Sequence, residues 1–117
     1  MKIFISGPMT GYENFNKDAF NQAERYLRSL GFSVFNPAWL SFDEEWTHEE
    51  IMVVDLAALA QCDGIYFLKG RSKSIGCKIE LEYALSNCKK IFFEESRQVI
   101  VDMAVRLKNS IKINGGN

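Results

Sequence analysis

The sequence predicts an α/β domain with a mainly parallel sheet, and three observations carry that expectation. Short apolar runs, at residues 2–6, 32–35, 65–68 and 91–93, alternate with segments of helical periodicity. The first run, KIFIS, and the third, IYFL, are apolar on both faces, as central parallel strands are. The residues that break the pattern fall in the segments that follow strands, where open α/β sheets bind their ligands.

In chain order, Lys2–Ser6 is the first strand, and Gly7-Pro-Met-Thr-Gly11 is the loop that ends it. Asn14 or Asn16 is placed to cap the next helix, along which Phe20, Ala23, Leu27 and Leu30 recur at helical spacing. Gly31 suits the helix C-cap. Phe32–Phe35 is the second strand, stopped by Asn36-Pro37. A long connection follows, with Trp39, Phe42 and Trp46 set among Asp43, Glu44 and Glu45. Thr47 and Glu50 form a capping box for a helix whose inward stripe is Ile51, Asp55, Ala58, Leu59 and Cys62. Asp63-Gly64 breaks that helix before the third strand. Lys89-Lys90 leads into the fourth strand, and residues 96–110 form a last helix with Val99, Met103 and Leu107 in register. Residues 111–117 either add a short edge strand or fray. The expected architecture is a single domain over 1–117. It has three layers, with a flavodoxin- or Rossmann-like sheet of four to five strands and helices on both faces.

The stretch Gly70–Ala84, GRSKSIGCKIELEYA, concentrates the chemistry. A loop that enters a helix at Ser74 or Gly76 points backbone N–H groups and the positive helix end at a common spot, which suits phosphate or another anion. Gly76, Ile79, Glu80, Tyr83, Ala84 and Asn87 share one face of that helix, so Glu80 lies on the inward stripe. Glu82 lies roughly 200° away, beside Lys78 and Ser86, in water.

Composition narrows the function classes. The chain has 117 residues, 47% hydrophobic and 25% charged, which suits one soluble core. A net charge of −1 gives no general affinity for a nucleic-acid polymer or an acidic membrane. No apolar run approaches the roughly 20 residues of a membrane helix, and the N-terminus reads as a strand instead of a signal peptide. Three cysteines (Cys62, Cys77, Cys88), no CxxC and one histidine argue against a disulfide framework or a zinc site. They point to a reducing cytoplasm.

Spacing alone leaves alternatives open. The Gly7–Gly11 loop is either a tight turn or a phosphate or sugar contact. Asp55 and Glu80 are either satisfied buried acids or catalytic groups. Trp39 and Trp46 read first as core residues, with base stacking as the alternative. His48 reads as a helix-start residue, and Cys77 lacks a base partner for nucleophilic work.

Two motifs narrow the choice. Asp55-Leu-Ala-Ala-Leu-Ala-Gln-Cys-Asp63 is followed, after a strand, by Ser74-Ile-Gly-Cys-Lys-Ile-Glu80-Leu-Glu-Tyr-Ala84. Together they resemble the D-L-x-x-L-x-x-x-D and S-x-G-x-x-x-E-L-G-x-A patterns of the nucleoside 2-deoxyribosyltransferase superfamily, near its 2′-deoxynucleoside 5′-monophosphate N-hydrolases. Gly7–Gly11 and Phe35-Asn-Pro37 also resemble small phage-type proteins grouped with that superfamily. The resemblance covers roughly residues 2–93.

It implies cleavage or transfer at the N-glycosidic bond of a (deoxy)nucleoside 5′-monophosphate. Glu80 is then the nucleophile at the anomeric carbon, and Asp55 organises sugar and base and assists proton transfer. Ser74 and Gly76 hold the 5′-phosphate, and Gly7, Pro8, Met9 and Thr10 meet the nucleotide. Asn36 completes the candidate substrate-binding set. The resemblance implies no metal or organic cofactor, and a homo-oligomer whose neighbour completes the pocket. The alternative is a non-catalytic protein of the same fold that binds a nucleotide or a nucleotide-derived signal. The sequence departs from the pattern at Glu82, where the family has glycine. It departs again at Ser6 or Gly7, where several relatives place a tyrosine that orients the glutamate. Lys69, Arg71 and Lys73 suit a charged ligand.

Overall fold

The computed structural model describes residues 1–115. Four parallel strands form one sheet in the order β2-β1-β3-β4: β1 is Lys2–Ser6, β2 Ser33–Phe35, β3 Gly64–Phe67 and β4 Lys90–Phe93. Register is set by pairs such as Phe4 with Ile65 and Tyr66 with Phe92. Four main helices follow the strands: α1 Lys17–Ser29, α2 His48–Ala60, α3 Ile75–Ser86 and α4 Arg97–Gly115.

The two strands that read as apolar on both faces are the central pair, so each of their side chains needs a cover. Ile3, Ile5, Tyr66 and Leu68 point to one layer, where Phe20, Ala23 and Leu27 of α1 and Ile100 of α4 pack. Phe4, Ile65 and Phe67 point to the other layer, against Leu59 of α2 and Cys77 and Ala84 of α3. The fold is thus a three-layer α/β sandwich of the flavodoxin-like order. Each fully buried Ile, Leu or Phe contributes about 1.5–3 kcal/mol of transfer free energy to it.

Local signals set the element ends. Thr47 and Glu50 exchange both capping-box hydrogen bonds, at 3.1 and 2.9 Å. Gly31 (φ 96°) closes α1 in a Schellman motif: its N–H donates to the Arg28 carbonyl, and the Phe32 N–H to that of Leu27. Asp63, just past the end of α2, latches onto the start of β1, its carboxylate accepting from the Lys2 N–H at 2.8 Å.

The structure corrects several expectations. Asn16 occupies the N-cap position of α1 without capping it, because its amide donates to the Pro8 carbonyl at 2.9 Å instead. On α4, Met103 and Leu107 pack against the core beside the buried Ile100, whereas Val99 is 53% exposed. Asn87 is exposed at the end of α3, where Cys77 joins the inward stripe. Trp39 and Trp46 are half exposed and do not serve as core residues. Trp39 instead packs on Phe35 and donates to Glu24, and Trp46 meets Phe42 edge-on. Among the described residues no edge strand follows α4, since the helix continues through residues 111–115; residues 116–117 lie outside the described residues.

Candidate functional site

The strand order changes direction between β1 and β3, and in such sheets the crevice beyond that point is the binding site. A cavity of about 900 Å³ opens there. Its floor is the end of β1 with the inward faces of α2 and α3, and its rim is built by the loops after β1, β2 and β3.

Glu80, one turn into α3, reaches this floor at 5% exposure. The Ser6 hydroxyl, last in β1, donates to Glu80 Oε1 at 2.6 Å, and Cys77 Sγ lies 3.3 Å from the same hydroxyl. Burial pushes the Glu80 carboxyl up to about 8; the Ser6 hydrogen bond opposes this rise, and the nearby Asp55 adds to it. Asp55, from α2, lines the same cavity and is itself pushed up to about 6 by burial, with His48 opposing. Among the described residues Asp55 Oδ1 has no hydrogen-bond partner, although it is buried. Two desolvated carboxyls with raised and unequal affinities therefore share one floor. Between the two values the pair holds one proton, which lets one group donate while the other carries charge.

The start of α3 forms the second wall. Ser74 caps the helix, its Oγ accepting from the Cys77 N–H at 3.2 Å, and Ile75 and Gly76 line the cavity. The first backbone N–H groups of a twelve-residue helix thus face the cavity edge, a setting that favours an anion. Of the basic residues in the preceding loop only Lys73 lines the cavity. Arg71 is directed away, pairing with Glu95 at 2.6 Å and lying over the Phe93 ring at 4.4 Å. Lys69 is exposed and off the wall.

Gly7, Pro8, Met9 and Thr10 all line the cavity with Ser74, Gly76, Asp55 and Glu80. Asn36 does not. It is fully buried, its amide donates to Asn21 and Glu24, and its oxygen accepts from the Ala38 N–H. Asn36 is a structural clamp for the turn after β2, which explains why an amide stands there and removes it from the candidate binding set. Glu82 is exposed, as the helical phase requires. His48 starts α2 and also lines the cavity. Sequence reasoning did not single out Lys17, Phe15 or Met52, which complete the wall. It also assigned no role to Ser6. Two signals hinted at its contact with a residue 74 positions away: its place at the end of a strand, and its standing at or beside the position where the resembled pattern has a glutamate-orienting tyrosine.

Among the described residues no group of three or more His, Cys, Asp or Glu side chains is placed to hold a metal ion. The three cysteines are unpaired. No described helix is long and apolar enough to cross a membrane.

No curated protein matches the chain. The family model described as Domain of unknown function (DUF4406) matches residues 1–93, more than half of the 117, and the chain belongs to that family.

Proposed function

We propose that this protein acts on the N-glycosidic bond of a (deoxy)nucleoside 5′-monophosphate, by hydrolysis or by base transfer. The observation that carries the reading is the pair of desolvated carboxyls, buried Glu80 and half-buried Asp55, on the floor of one cavity whose edge is a helix N-terminus. Breaking this bond builds positive charge on the sugar, and a carboxylate beneath C1′ stabilises or traps that charge. The leaving base needs a proton, which the second carboxyl supplies.

In the proposed sequence Glu80 is anchored through Oε1 by Ser6, and its other oxygen attacks C1′. The C1′–N bond breaks, its electron pair goes to the base nitrogen, and the proton held by Asp55 goes to the base. Water or a second base then cleaves the glycosyl ester. Before substrate binds, the proton favours Glu80, because burial bears on it harder. Positive charge growing on the sugar above Glu80 favours the carboxylate there and moves the proton toward Asp55. The 5′-phosphate fits the α3 N-terminus at Ser74 and Gly76, with Lys73 beside it. The chemistry asks for no metal or organic cofactor.

The unpaired cysteines suit a reducing, cytoplasmic setting. The apolar residues exposed on the outer faces of α2 and α3 suit a homodimer.

The test is incubation of the purified protein with each deoxynucleoside 5′-monophosphate, following free base by chromatography, with Glu80→Ala alongside. Base release by wild type alone supports the reading. No release from any nucleotide, together with ligand binding unchanged in Glu80→Ala, overturns it. Binding without release would favour the second reading, a nucleotide-binding protein of the same fold, which the high proton affinity of Glu80 also suits.

A further inference from the structure

The loop from β1 to α1 contains three consecutive left-handed residues, Asn14 (φ 50°), Phe15 (φ 54°) and Asn16 (φ 63°). Left-handed residues ordinarily occur singly, and asparagine tolerates the conformation where a bulky aromatic does not. Phe15 is therefore the anomaly. Packing within the chain does not offset its strain: the ring is 63% exposed and belongs to neither core cluster. Asn16 shows how the turn is held, since its amide donates to the Pro8 carbonyl at 2.9 Å. It gives no reason for an aromatic one residue earlier. What the conformation achieves is position, because Phe15 lines the 900 Å³ cavity that contains Asp55 and Glu80. Strained residues cluster where a fold holds a group in place for a ligand.

We propose that Phe15 is a ligand-contacting residue, kept in a strained turn so that its ring offers a flat face to a planar ring in the cavity. This rests on the nucleotide reading above, under which that ring is the base. Met9, Phe20 and Phe42 also line this cavity, and such apolar groups suit a heterocycle better than a second phosphate.

Two variants separate contact from structure. Glycine takes the left-handed conformation without steric cost, so Phe15→Gly relieves the strain and removes the ring. Phe15→Tyr keeps the ring. The thermal midpoint of each ligand-free variant is measured, and each is titrated calorimetrically with dAMP, dGMP, dCMP and TMP. The proposal expects Phe15→Gly to melt at or above the wild-type midpoint. It also expects that variant to bind the preferred nucleotide roughly 10- to 100-fold more weakly, the range of base–aromatic stacking. Phe15→Tyr should stay within about threefold of wild type.

A midpoint several degrees lower in Phe15→Gly would make Phe15 a packing residue and overturn the proposal. Unchanged affinity in Phe15→Gly would overturn it while leaving the nucleotide reading standing. Wild type that binds none of the four nucleotides would overturn both.

Discussion

Glu80 is the nucleophile of the proposed reaction, and its surroundings make a stability prediction that needs no substrate. Its folded carboxyl titrates near 8 against an ordinary value of 4.5. The native state therefore binds more protons than the unfolded state across that window. Stability is fully present below about 4.5 and is lost as pH rises toward 8. Asp55, raised from 3.8 to about 6, acts in the same direction over the lower part. The ligand-free thermal midpoint should fall between pH 5 and 8, and Glu80→Gln should flatten that slope. At pH 8 the variant should be more stable than wild type by roughly 1–3 kcal/mol, since each tenfold gain in proton affinity on folding corresponds to about 1.4 kcal/mol before relaxation reduces it. A wild-type midpoint that rises over this range would refute the burial argument. Ser6 works against burial, because its hydroxyl favours the ionised carboxylate. Ser6→Ala should slow base release about 10- to 100-fold, the worth of a hydrogen bond to a charged group, and move the acidic limb of the pH–rate profile upward. Ser6→Thr should restore both. Loss of rate with an unmoved limb would reduce Ser6 to a packing role.

At the scale of elements, two glycines of the site do different work. A Cβ on Gly7 would meet Leu68 Cδ1 at 2.8 Å, so the β1 loop lies against the end of β3 only because that position is bare. Gly7→Ala should destabilise the fold by about 1–3 kcal/mol, the cost of overpacking, as read by denaturant titration. A Cβ on Gly76 would meet Met52 Sδ at 3.5 Å and Ser74 Oγ at 3.8 Å, both ordinary contacts, and the residue lies in the first turn of α3. Gly76→Ala should leave stability equal or raised by up to about 1 kcal/mol while weakening nucleotide binding at the helix end, a split that a purely structural glycine would not show. The same contrast explains what the sequence made readable. The Thr47–Glu50 box and the Gly31 terminus depend on residues within a turn of each other, so spacing revealed them. The phase of α3 likewise placed Glu80 inward and Glu82 outward. Other features depend on how elements come together in space, and no local pattern encodes them. Ser6 meets Glu80 across two layers. Arg71 leaves the cavity for Glu95 and Phe93. Asn36 spends its amide on α1. The αL turn at 14–16 hid the start of α1, because the asparagines that read as caps serve the turn instead.

For the whole molecule, the apolar residues that the helices leave exposed bear on assembly. On α1 the apolar side is buried and the polar side is wet. On α2 and α3 apolar residues also point outward, with Val53 69%, Ile75 70% and Leu85 63% exposed, as Val99 (53%) and Val105 (51%) do on α4. A shallow groove of about 490 Å³ runs between the two helices at their N-terminal ends, lined by His48, Glu49, Met52, Ile75 and Ile79. Its His48, Met52 and Ile75 also line the main cavity, so whatever covers the groove closes one side of the site. The charges on this face favour a second copy as the cover. No Lys or Arg lies on α2, whose outer side carries Glu49, while Lys78 flanks Ile75 on α3. A two-fold axis along the helices lays α2 of one copy over α3 of the other with their N-termini level, setting Glu49 against Lys78 twice. Sedimentation at micromolar concentration should give a dimer mass. Val53→Asp should give a monomer, while Val99→Asp, on α4 beneath the opposite face of the sheet, should leave the dimer intact. Glu49→Lys and Lys78→Glu should each weaken association about tenfold, and the double exchange should recover most of that loss, as paired charges at an interface do. A wild-type monomer at these concentrations would remove the dimer. A dimer indifferent to Val53→Asp would place its contact on another face.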